Sequence, residues 1–177
     1  MTTLKLIILD FDGTLADTRE LIVHTHQEAM CRMNHPVVDE AAIVSTIGLP
    51  LREGIHIMCP DVVPEDLPAW VKTYRMVFDR LKNQIVPAIF PSIRETLAFL
   101  TGKGYKCTVA SSRGAESLNA FLKAMRLAPY ISYVLGADDV THAKPHPEPV
   151  LKTLRDSACQ PTEALVVGDM PVDIQRV

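Results

Sequence analysis

Leu4 to Leu9 is a short run rich in branched apolar residues, without clean alternation, and it breaks off at Asp10, Asp12, Gly13 and Thr14. Such a run predicts a central parallel strand covered on both faces. Helical spacing follows. The first helix is expected from Asp17-Thr18, which offer a cap, to about Asn34, where Pro36 stops it. A second should run from Asp39 to Ile47, be broken by Gly48-Leu49-Pro50, and give way to a third over Leu51 to Met58. Beyond Pro60 and Pro64, Pro68 to about Asn83 predicts a fourth, with Trp70, Val71, Tyr74, Val77, Phe78 and Leu81 at the spacing of a packing face.

From Pro91 the pattern changes to alternating helices and strands. Helices are expected over Ser92–Lys103, with Ser92 as N-cap, over Gly114–Arg126 and over Pro147–Ser157. Strands are expected over Tyr105–Ala110, Tyr133–Gly136 and Ala164–Gly168. The alternation predicts an α/β fold, a doubly wound parallel (Rossmann-like) sheet with right-handed crossovers. The helical stretch interrupts it, so residues 1–16 with 87–177 would form the core and residues 17–86 an inserted helical unit.

Composition narrows the function classes. At 177 residues, 47% hydrophobic and 22% charged, the chain suits one substantial core with a small insert. A net charge of −3 leaves no basic footprint, so no nucleic-acid partner is expected. Cys31, Cys59, Cys107 and Cys159 form neither a CxxC pair nor a Cys/His zinc pattern, which reads as reduced thiols in a cytoplasmic protein. The apolar run before Asp10 is unlike a signal peptide, and no stretch is long enough to cross a bilayer, so no membrane partner is expected.

The chemistry gathers where strands end. In open α/β sheets, ligands bind at the carboxyl edge of the strands. Asp10, Ser111 and Asp169 each follow an apolar run, so three strand ends should meet there. Asp10 and Asp12, two apart, would project to one side of an extended segment, and such close like charges call for a cation such as Mg²⁺. Four residue types fixed within five positions, Asp10 to Thr14, have a chance expectation of about one in a thousand in a chain of this length.

Asp10-Phe11-Asp12-Gly13-Thr14-Leu15 resembles the first motif of the haloacid dehalogenase superfamily in its phosphatase form. Ser111 resembles the second motif, Lys144 in Lys144-Pro145-His146-Pro147 the third, and Gly168-Asp169-Met170-Pro171-Val172-Asp173 the fourth, with Met170 where a serine or threonine is often found. Thr46-Ile47-Gly48-Leu49-Pro50-Leu51-Arg52 is similar to the cap loop of the phosphoglycolate phosphatase-like branch. The resemblance implies a Mg²⁺-dependent phosphatase for a small phosphorylated metabolite, working through an aspartyl-phosphate, with the insert as a lid. It implies Asp10 as nucleophile, Asp12 as acid and base, and Ser111 and Lys144 as partners of the phosphoryl group. Asp10, the Asp12 carbonyl and Asp169 would bind the metal, and Asp173 would act through a water or hold Lys144. Thr14, Ser112, Arg113 and Arg52 are the substrate-binding candidates, while His146 is assigned no role.

Two alternatives stay open at this point: phosphoryl transfer of the β-phosphoglucomutase kind, and a shortened chain of weak or absent activity that serves as a binding module. A dehalogenase has no need of the acid at Asp12, and phosphonate cleavage would want a Schiff-base lysine from the cap, where Lys72 and Lys82 both come late, on a helix that reads as packing. The family usually continues past its fourth motif, so the last core strand and helix are expected to be missing. Val166 and Val167 would then lie on a bare sheet edge. Self-association through that edge, or fragility with a mobile Asp169–Val177 segment, is the expected outcome.

Overall fold

A computed structural model describes residues 3–173 of the chain. Strand β1 (Leu6–Leu9) is buried at every position. It is flanked by β4 (Lys106–Ala110) on one side and β6 (Ala164–Val167) on the other, and β5 (Ile131–Leu135) lies beyond β4. All three pairings are parallel, giving the order β5-β4-β1-β6.

The sheet is covered because its strands present apolar side chains to both faces. Ile7 and Leu9 of β1 join one cluster with Leu97 of α5 (Ile93–Gly102) and Leu118, Phe121 and Leu122 of α6 (Ala115–Ala124). Leu6 and Ile8 pack on the opposite face with Leu154 of α7 (Glu148–Asp156). Full burial of one such side chain contributes roughly 1.5–3 kcal/mol, so β1 anchors both layers.

Four helices interrupt the sheet: α1 (Arg19–Arg32), α2 (Glu40–Val44), α3 (Leu51–Met58) and α4 (Leu67–Leu81). They have an apolar centre of their own, including Ile22, Met30, Ile43, Ile55 and Trp70. The far end of α4 departs from this pattern, since Val77, Phe78 and Leu81 belong to the sheet's core and dock the helical unit on it. The chain enters the unit through β2 (Ala16–Asp17) and leaves through β3 (Ala88–Ile89), which pair antiparallel. This two-residue ribbon is too short for a periodic signal in sequence.

Several expectations require correction. Ser92 occupies the cap position of α5 but has φ +64° and makes no side-chain cap bond. Thr18 likewise precedes α1 without capping it, because its hydroxyl is engaged elsewhere. Beyond Phe11 the chain turns: the Phe11 carbonyl accepts from the N–H groups of Thr14, Leu15 and Ala16 at 3.4, 3.0 and 3.1 Å. On β6 the exposed residues are Leu165 and Val167, whereas Val166 packs toward α7. Residues 174–177, part of the segment expected to be mobile, lie outside the described residues.

Candidate active site

The carboxyl edge of the sheet collects the polar residues. The Asp10 N–H donates to the Val167 carbonyl at 2.9 Å, and the Ser111 N–H donates to the Leu135 carbonyl at 3.0 Å, so both loop starts continue their ladders. Asp10, Asp12, Ser111, Lys144 and Asp173 are all buried. Burial of this many polar groups is costly unless they satisfy one another.

Lys144 does much of that. Its ammonium donates to Asp10 Oδ1 at 2.7 Å and to Asp173 Oδ1 at 2.6 Å. Burial alone would lower the Lys144 pKa, but attraction to Asp10 and Asp173 outweighs it and the net shift is upward. Asp10 is driven up to about 7, chiefly by burial, with Lys144 opposing and Asp12 and Asp173 adding to the rise.

Asp169 completes the cluster. Ligand oxygens of Asp10, Asp169 and Asp173 fall within 4.8 Å of one another. Thr14 Oγ1 donates to Asp169 Oδ1 at 2.9 Å. Gly13 has φ +81°, and a Cβ there would run into the Asp169 carboxylate, so glycine is what lets the two loops close together. Three carboxylates facing one ammonium leave a surplus of negative charge on hard oxygen donors. That donor set fits Mg²⁺, which takes oxygen ligands and needs few of them from protein.

The Asp12 carboxylate stands outside this cluster. Thr18 Oγ1 donates to its Oδ1 at 2.7 Å, and Arg113 grips it through Nη2 at 2.6 Å and Nε at 3.2 Å. The guanidinium carbon lies 5.0, 5.1 and 5.8 Å from the ring centres of Phe78, Phe121 and Phe11. Burial lowers the Arg113 pKa, but Asp12 reverses the effect, and the net shift is upward. Arg113, a substrate-binding candidate by sequence, has its guanidinium paired with Asp12, a buried cation against a buried anion.

The remaining candidates fall around a cavity of about 530 Å³ between the helical unit and the sheet, lined by Asp12, Arg52, Ser112 and Arg113 among others. Arg52 is exposed on α3. Ser112 Oγ donates to the Gly48 carbonyl at 2.6 Å, tying the core to the insert's loop. Ser111 accepts the Arg113 N–H at 3.3 Å. Thr18 on Asp12, and His26 and Tyr74 in the cavity lining, carry no site signal in sequence. A threonine before a helix reads as a cap, and the two rings lie at ordinary packing positions.

Residues 7–176 match the family model of the haloacid dehalogenase-like hydrolases. A probable phosphatase from Dickeya dadantii, IndB, is 38% identical over 174 residues, which cover 96% of this chain and 74% of that protein. The phosphoglycolate phosphatase of Escherichia coli strain K12 is 28% identical over 193 residues, covering 96% of this chain and 75% of that protein. The crystal structure described as a haloacid dehalogenase-like hydrolase from Bacteroides fragilis superposes with a TM-score of 0.91 at 27% identity, covering 97% of this chain and 81% of that one. The match extends over nearly the whole chain and recurs in the fold, and the chain belongs to the haloacid dehalogenase-like hydrolases.

Proposed function

We propose that the protein is a phosphatase for a small phosphorylated metabolite and that it works through a covalent phosphoryl-aspartate. The observation that carries this reading is the Asp10–Lys144–Asp173 ion-paired chain with Asp169 beside it, at the ends of β1 and β6. A relative named as a phosphatase at 38% identity supports it.

In this mechanism a carboxylate oxygen of Asp10 attacks phosphorus and the ester oxygen departs. Asp12 gives that oxygen a proton and later takes one from the water that cleaves the phosphoryl-aspartate. Lys144 and Ser111 hold the phosphoryl oxygens, where positioning and charge do most of the work. Asp10, Asp169 and the Asp12 carbonyl would hold Mg²⁺, with Asp173 behind them, and the bound ion offsets negative charge on the phosphoryl group. Arg113 and Thr18 orient Asp12 rather than touching phosphate.

Residues 17–86 act as the lid and residues 1–16 with 87–177 as the catalytic core, with the alcohol half of the substrate in the cavity beside Arg52 and Thr46. The four cysteines are free thiols, in keeping with a cytoplasmic setting. The test is phosphate release from a panel of phosphorylated sugars, glycolate and nucleotides in the presence of Mg²⁺. Wild-type protein should turn over at least one of them, and Asp10→Asn should lose on the order of 10³-fold or more. Undiminished turnover in Asp10→Asn would exclude the mechanism, and isomerised sugar phosphate in place of free phosphate would make the protein a mutase.

A further inference from the structure

Outside this site, the loop that carries Lys144 gathers a second set of ligating side chains. His142 Nδ1 lies 2.9 Å from Glu148 Oε2, and the His142 and His146 rings stand 4.6 Å apart, inclined by 32°. One ligand atom from each of His142, His146 and Glu148 falls within 4.8 Å of the others. Donor atoms about 2.0–2.2 Å from a tetrahedral ion lie roughly 3.3 Å apart, so small ring rotations bring this set into range. Both histidines are exposed, which leaves room for a water as fourth ligand.

The carboxylate is already fixed. The backbone N–H groups of Thr141 and His142 donate to Glu148 Oε1 and Oε2, each at 2.8 Å. A pre-oriented carboxylate supported by backbone donors is the kind of outer support that metal ligands need. Binding would exchange two contacts for metal bonds: the His142–Glu148 hydrogen bond, and the 3.1 Å bond from the Glu148 N–H to His146 Nδ1.

We propose that His142, His146 and Glu148 form a site for a transition-metal dication of the zinc class, separate from the carboxylate cluster at Asp10. Two imidazoles select Zn²⁺, Co²⁺, Ni²⁺ or Cu²⁺ over Mg²⁺, which favours the all-oxygen cluster. Occupancy closes residues 142–148 into a ring around Lys144, whose ammonium lies on Asp10. Metal at the loop therefore restrains the lysine's approach to the nucleophile.

The test uses tag-free, chelator-stripped protein titrated with Co²⁺ in excess Mg²⁺. A visible absorption band of tetrahedral intensity should saturate at one equivalent and be displaced by Zn²⁺. His142→Ala and His146→Ala, both at exposed positions, should weaken Zn²⁺ binding at least tenfold, with melting curves confirming that they fold, while Asp10→Asn should keep the band. The proposal is overturned if no band forms, if the band survives both histidine substitutions, or if it disappears in Asp10→Asn.

Discussion

Asp12 is held on two sides, by the hydroxyl of Thr18 and by the paired nitrogens of Arg113. In the proposed mechanism this carboxylate gives and takes a proton, and it gains from such restraint, because misplacement of a catalytic group by about 1 Å costs on the order of 10²-fold in rate. Arg113→Lys keeps the charge and loses the fork. Steady-state kinetics should then find kcat down by roughly 10- to 100-fold with KM nearly unchanged, as expected when positioning is lost rather than substrate binding. A raised KM with intact kcat would return Arg113 to the substrate. Nothing in Ser111-Ser112-Arg113 as letters distinguishes these roles. The aromatic box that traps the guanidinium is assembled from Phe11, Phe78 and Phe121, far apart in the chain.

Helices α1 and α4 meet at His26 and Tyr74, whose ring centres lie 4.5 Å apart. His26 has no hydrogen-bond partner among the described residues, and burial lowers its pKa to about 4. An unfolded histidine titrates near 6.5, so between the two values the unfolded chain binds a proton that the folded chain excludes. Stability is full above pH 6.5, declines as the pH falls, and has lost about 3 kcal/mol from this group once below pH 4. Urea midpoints at pH 7.5 and 4.5 should separate by more in wild type than in His26→Gln, and equal separations would clear His26 of the effect. At this scale the sequence was most readable. Apolar runs located β1, β4, β5 and β6, and helical spacing located α1 to α7 to within a few residues. The reading failed where a local signal had a competing use, as at Thr18, where φ is positive at a serine, as at Ser92, and where a pairing spans only two residues, as in β2 and β3.

At the scale of the molecule, β6 is an edge strand among the described residues, paired with β1 alone. Leu165 is 48% exposed and Val167 37% on the face that α5 and α6 cover for the inner strands. An apolar edge of this kind invites pairing with another chain. The ribbon of β2 and β3 has a different consequence. Because Asp17 and Ala88 are direct partners, the helical unit begins and ends at one point, and its length or sequence is no constraint on the register of the sheet. A unit grafted there from another protein joins the sheet at that one short seam, and beyond the seam it has only to restore what Val77, Phe78 and Leu81 place in the sheet's core and the Ser112–Gly48 tie.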